Sequence, residues 1–342
     1  MTRKFILKSF FFIFPFVCLY LWSILMYGVN GHDLIRMGYI PNFYNVTENE
    51  ITSIEDKEIH FDNYYDDTIQ KEYDILIIGD SFSENADSYT NLLAKKLRVL
   101  KIDGRKCNNP IQILSNLINL KFFNKVKVKY VVLESVERYA VQRSVVCDLG
   151  LKNKDLLGSQ KKQKASKKNE HVFFSNQSLL FGYNSLKYFL LEDAKFNDQV
   201  YSFKLEKKMF NHFKGNSILI LNEDLTYTRF NNNLNNIKRF VRVSNYLNEK
   251  LKQNNINLIM LICPDKFDLY YDYIANKNNY QKPCFLDTLF NSRINFNLVK
   301  SKKILKNRLK QNIKDLYFYD DTHWTSKAYV PISQEIFHLV RF

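Results

Sequence analysis

Ser81 stands in the run Gly79-Asp80-Ser81-Phe82, and His323 in the run Asp320-Asp321-Thr322-His323-Trp324. A serine hydroxyl is a weak nucleophile until a base takes its proton, and an imidazole does this best when a carboxylate fixes its tautomer and orientation. Asp320 and Asp321 lie three and two residues before His323. In a turn, that spacing lets one carboxylate accept a hydrogen bond from one ring nitrogen while the other nitrogen faces the serine. The chemistry open to such a set is acyl transfer through a covalent serine ester. Taken singly, each run has a plainer reading: Gly-Asp-Ser is a common turn, and an Asp close to a His is a common helix cap. Taken together they fall after two different strand-like runs and before two helical ones, so a single sheet would bring them to one rim. The other histidines compete poorly. His32 follows the apolar N-terminal segment, His60 and His171 sit in polar stretches, His212 lies in an irregular region and His338 near the chain end, and all are read as surface or packing residues.

The elements that must position these groups are legible as periodic runs. Residues 73–78 (YDILII), closed by Gly79, predict a buried strand of a parallel sheet. Leu92, Leu93, Ala94 and Leu97 give the next helix its apolar face, and residues 98–102 return as a second strand. Residues 110–120 predict a helix and 130–133 a third strand; Leu234, Ile237, Val241, Leu247 and Leu251 mark a long amphipathic helix that runs into a fourth strand at 256–262. Residues 316–319 are expected as the last strand, and 326–340 as a closing helix with Pro331 near its first turns. This alternation predicts an α/β fold of three layers around a central parallel sheet. Ligands of such sheets bind at the carboxyl ends of the strands, where Ser81 and His323 fall. Residues 150–215 interrupt the pattern and are expected as an insertion or cap, beginning with Lys152, Lys154, Lys161, Lys162, Lys164, Lys167 and Lys168 in a solvated loop and continuing into an aromatic segment at 172–191. The Asn-rich stretch 231–236 carries no readable signal.

Residues 9–30 hold no charge, and their apolar heart at 10–27 is, at about 1.5 Å per residue, long enough to cross a hydrocarbon core. Arg3, Lys4 and Lys8 precede it, which by the positive-inside rule puts the rest of the chain on the extracytoplasmic side of the cell membrane. No small-residue cleavage site follows, so the segment reads as a retained anchor rather than a signal peptide. The expected organisation is a tail and anchor at 1–31, a polar stalk at 32–72, and a catalytic domain at 73–342. Lys and Arg outnumber Asp and Glu by 50 to 35, but the Lys run lacks interleaved aromatics or any binding motif, which argues against a nucleic-acid partner. Cys18 lies in the apolar segment; Cys107, Cys147, Cys263 and Cys284 match no zinc spacing and permit one or two disulfides in an oxidising compartment. Neither a metal nor a cofactor is expected.

Four segments together resemble the SGNH hydrolase superfamily, and within it the domain of alginate and related polysaccharide O-acetyltransferases. They are Gly79-Asp80-Ser81-Phe82; Leu133-Glu134-Ser135-Val136-Glu137-Arg138-Tyr139; Cys263-Pro264-Asp265-Lys266 with Tyr270 behind it; and Asp321-Thr322-His323-Trp324-Thr325. The likeness runs from residue 73 to about 340, and the serine block comes first along the chain, as in ordinary SGNH hydrolases. The resemblance implies a flavodoxin-like fold in which Ser81 is the nucleophile, His323 the base and Asp321 its orienter. Asp320 is the alternative acid, because the general pattern of the superfamily places it three residues before the histidine. Glu137 and Arg138 are implied either to face substrate or to form a buried ion pair bracing the site, and Trp324 belongs to the same set. Gly104, after the second strand, is implied to lend a backbone N–H to the oxyanion beside that of Ser81. The implied activity is O-acetyl transfer to a cell-surface or exported polysaccharide, with a membrane-bound partner delivering the acetyl group. A carbohydrate acetylesterase and an inert glycan-binding or assembly protein on the same scaffold are the alternatives.

Overall fold

Six parallel strands carry the larger part of the chain. They are β1 (Asp62–Asn63), β2 (Glu72–Gly79), β3 (Val99–Asp103), β4 (Lys127–Val136), β8 (Asn257–Cys263) and β9 (Asn297–Val299), laid side by side in the order β1-β3-β2-β4-β8-β9. The computed structural model describes residues 2–26, 32–41, 58–65, 69–84, 86–157 and 176–341. These divide into two compact units: one of Met1–Val46, Lys162–Asn222 and Tyr319–Thr322, the other of Thr47–Lys161, Glu223–Phe318 and His323–Phe342.

In the second unit the register follows from apolar runs buried on both faces. Ile75 to Ile78 pair with Val99 to Ile102 on one side, and with Tyr130 to Leu133 on the other; Tyr130 to Val136 then pair with Asn257 to Cys263. Because successive side chains alternate faces, Leu76 and Ile78 join one core with α4 (Pro110–Asn119), α5 (Glu137–Val145) and α7 (Leu234–Lys252). Helices α3 (Tyr89–Ala94), α8 (Ser301–Lys310) and α9 (Ser326–Arg341) pack on β3, β8 and β9 respectively. Leaving out the edge strand β1, the order is that of a doubly wound sheet, with its switch point between β2 and β4, where adjacent connections leave in opposite directions. Asn side chains start two of the helices. Asn109 accepts from Gln112 N ahead of Pro110, and Asn233 accepts from Asn235 N and Asn236 N, which is the work the Asn-rich stretch does.

The expected last strand is not one. Residues 316–319 make only a single bridge, Tyr317 to Trp324, and the edge of the sheet is β9 instead. The reason is local: Phe318 N donates to His323 O and Thr325 N to Leu316 O, so this segment spends its main chain on its own turn. The sheet also starts earlier than expected. β1 lies inside the supposed stalk, pairing with Leu100 and Lys101, while Tyr73 Oη donates to Asp62 Oδ2 at 2.8 Å.

The first unit holds α1 (Thr2–Met26), with Pro15 inside it, and Arg3–Leu25 is long and apolar enough to cross a membrane. It also holds α2 (Asp33–Gly38), α6 (Asn176–Leu190) and an antiparallel sheet of β5 (Ala194–Phe196), β6 (Val200–Lys204) and β7 (Ser217–Leu221). From residue 176 on, the insertion is therefore a folded element that runs to residue 222, and Asn184 Nδ2 ties it to Gly38 O at 2.8 Å. An aromatic cluster closes this unit: His212 stacks on Tyr319 at 4.0 Å, and the Tyr319 hydroxyl meets Ser217 Oγ at 3.0 Å. Lys161, Lys162, Lys164, Lys167, Lys168, His171 and the start of the aromatic segment lie outside the described residues. Cys263 and Cys284 are free thiols, which removes a disulfide between them; the side chain of Cys107 lies outside the described set.

Candidate active site

Strand β2 ends at Gly79, and the chain turns at once into a short 3-10 helix, Ser81–Ser83. A Cβ on Gly79 would come within 2.6 Å of Ser83 Oγ and collide with the Glu134 side chain, so only glycine fits where the strand meets the turn. Asp80 does not cap this turn. Its carboxylate points back into the protein, where Arg143 grips it with both terminal nitrogens, at 2.5 and 3.0 Å, and Val136 N donates to it at 3.1 Å. A bidentate guanidinium pair of this kind fixes direction as well as distance. Asp80 N in turn donates to Glu134 Oε2 at 2.7 Å. The residue before Ser81 is thus held from both its backbone and its side chain.

His323 arrives from the opposite end of the sequence. Its carbonyl accepts from Phe318 N, Lys266 Nζ donates to Phe318 O at 2.9 Å, and the next residue closes the bridge to Tyr317. This turn places His323 Nε2 2.7 Å from Ser81 Oγ, across 242 positions of sequence. Both side chains are half-buried, enclosed yet reachable. Phe82 packs against the imidazole at 5.0 Å and edge-on to Trp324 at 4.9 Å, and Tyr89 backs the indole at 6.3 Å. Trp324 is 4% exposed and takes its place in this aromatic support.

The residues leading into His323 are held within the first unit. Asp320 is buried, and its Oδ1 receives His32 Nδ1 at 2.7 Å, so His32 is a partner of this turn rather than a surface residue. Leu34 N donates to Asp320 O. Asp33 accepts from Thr322 N at 3.0 Å and from Thr322 Oγ1 at 2.6 Å, and its own N–H donates to Asp321 Oδ2 at 3.4 Å. Residues 32–34, expected as the start of a stalk, therefore grasp the Asp320–Thr322 turn.

Glu137 and Arg138 are both engaged inside the protein. Glu137 is buried and accepts from Asp265 N at 3.0 Å; Arg138 Nη1 reaches Asp265 at 2.9 Å and Asp224 at 3.1 Å. Burial raises the pKa of Glu137, with Asp268 and Asp265 adding to it, and likewise pushes Asp224 up to about 6. This is the buried bracing network, tying the end of β4 to that of β8. Gly104 opens a short 3-10 turn at the end of β3; a Cβ there would lie 2.9 Å from Gly79 O and 2.6 Å from Pro110, so the glycine lets two strand ends approach.

Sequence reasoning passed over Glu134 and Arg143, the groups that lock Asp80. Burial, then the nearby Asp80 carboxylate, pushes the Glu134 pKa up to about 8, and Cys263 Sγ lies 3.7 Å from its other oxygen. The available signal was an acid inside an apolar strand run, since a buried carboxylate needs specific partners. A groove of about 610 Å³ along α7, lined by Leu234, Ile237, Val241, Tyr246 and Arg293 among others, contains neither Ser81 nor His323.

Comparison with known proteins returned no family model, no curated protein and no solved structure that matches the chain.

Proposed function

We propose that the protein is a membrane-anchored serine O-acetyltransferase, acting on a cell-surface or exported polysaccharide on the extracytoplasmic side. The observation that carries this reading is the 2.7 Å approach of His323 Nε2 to Ser81 Oγ at the carboxyl ends of a doubly wound sheet. In the first half-reaction Ser81 Oγ attacks the carbonyl carbon of an acetyl ester or thioester while His323 takes the hydroxyl proton. The carbonyl oxygen becomes an oxyanion, facing N–H groups at the start of the Ser81–Ser83 turn, which the Asp80 side chain leaves uncapped. His323 then gives its proton to the departing alcohol or thiol, and an acetyl-serine ester remains. In the second half-reaction a sugar hydroxyl loses its proton to His323 and attacks that ester; Ser81 leaves and recovers the proton. Asp321 is assigned as orienter of the imidazole, as the resemblance of Asp321-Thr322-His323-Trp324 to the polysaccharide O-acetyltransferases implies. The resemblance of the four segments to polysaccharide O-acetyltransferases supports a glycan as acceptor and a membrane-bound protein as supplier of acetyl groups.

The full-length protein, reconstituted with an acetylated chromogenic ester and a neutral oligosaccharide, is expected to move acetate onto the sugar. Ser81→Ala is expected to lower that rate by about a thousandfold or more. Release of free acetate with no acetylated sugar would replace transfer by ester hydrolysis. No turnover and no Ser81-dependent change in glycan binding would remove the enzyme reading.

A further inference from the structure

Helix α6 is built inside out for water. Its buried face is Ser178, Phe181, Gly182, Asn184, Ser185 and Tyr188. Its outer face carries Leu179, Leu180, Tyr183, Leu186, Phe189 and Leu190, with exposures from 39% to 77%. A helix bathed in water shows the reverse arrangement, apolar inward and polar outward. Helices that meet in lipid use small residues at their shared seam and turn bulky apolar residues outward.

The seam between α6 and α1 has that character. Gly182 lies against Ser23 and Leu19, so closely that an added Cβ would sit 2.7 Å from Ser23 Oγ. The Ser23 hydroxyl donates to Leu19 O at 2.8 Å, satisfied within its own helix, and Trp22 packs on Phe181 at 5.7 Å. These contacts are on the last turns of α1, at the end remote from Arg3 and Lys4, and they make the outer face of α6 continuous with the exposed apolar surface of α1. The single charged residue of α6, Lys187, keeps its ammonium by Lys195 O at 2.6 Å while lying over the Tyr183 ring, as a lysine does when its stem runs along an apolar surface. With 15 residues at about 1.5 Å each, α6 is too short to cross a hydrocarbon core of about 30 Å.

We propose that α6 is a second membrane-contacting element, lying in the interface beside the outer end of α1 with its Leu179 to Leu190 face in the acyl chains. The inference rests on the reading of α1 as a bilayer span. It implies that the first unit is held to the bilayer by two elements and does not swing on a tether.

Quenching by brominated lipid tests this in the full-length chain, reconstituted alone in phosphatidylcholine vesicles. The parent, with indoles only at Trp22 and Trp324, reports whether α1 is in the bilayer. A second chain carries Trp22→Phe and Leu186→Trp, so that its added indole reports on α6. The proposal predicts that acyl-brominated phosphatidylcholine quenches the indole introduced at position 186 about as strongly as Trp22, and that aqueous iodide does not. Quenching at Trp22 with an iodide-accessible indole at position 186 would overturn the proposal while leaving the anchor intact. Shielding from both quenchers together with a cross-linked dimer would overturn it in favour of a second copy. No quenching at Trp22 would remove the anchor reading and this inference with it.

Discussion

Glu134 shows how a single side chain can tie chemistry to stability. It sits wholly buried beneath the Gly79–Asp80 corner, accepts from Asp80 N, and has its pKa pushed from an ordinary 4.5 up to about 8, chiefly by burial. A carboxyl raised in this way favours folding fully below about pH 4.5, and that contribution is lost as the pH climbs through about 8. Glu134→Gln keeps the shape and the acceptor without the titration. The variant is therefore expected to lose less thermal stability than the parent between pH 5 and pH 9, as followed by Tm across that range; parallel curves would show that Glu134 does not titrate there. The meeting of Ser81 with His323, and the glycine before Ser81, were readable from residue types and spacing. Glu134, Arg143 and Asp224 were not, since nothing local in sequence says that Asp80 must be gripped from α5 or that Arg138 would meet Asp224, 86 positions away.

At the scale of elements, β2, β4 and β8 were legible because strands buried on both faces leave unbroken apolar runs. Strand β9, three residues long, and β1, two residues long, carry no period at all, and their pairing is decided by their neighbours. Residues 316–319 have the composition of a strand but are recruited into the histidine turn. Within the first unit the Asp320–Thr322 segment that leads into His323 is held by Asp33, which the proposed function makes a positioning residue. Asp33→Ala removes both acceptors of Thr322, the residue before His323. It is expected to cost about 1–3 kcal/mol of stability and to lower kcat for acetyl transfer with donor KM nearly unchanged, while Asp33→Asn, which keeps one acceptor, recovers part of kcat. Equal kcat in all three proteins would detach this contact from the chemistry.

For the molecule as a whole, the consequence is that the second unit does not begin where its first clear strand does. A chain starting at Tyr73 lacks β1, the Asp62 partner of Tyr73, and the His32 and Asp33 contacts to the Asp320–Thr322 turn. In the same detergent it is expected to melt several °C below a chain starting at Gly31 and to be poorly active; equal Tm and rate would make residues 31–72 a dispensable stalk after all. The account as a whole stands on the pairing of Ser81 with His323. The most direct measurement is covalent labelling of the full-length protein by a serine-directed phosphonate, located by peptide mass spectrometry and repeated with His323→Ala. The account predicts one adduct, on Ser81, formed at least about a hundredfold more slowly without the imidazole. An adduct on another serine, or labelling of Ser81 at an undiminished rate in His323→Ala, would contradict it.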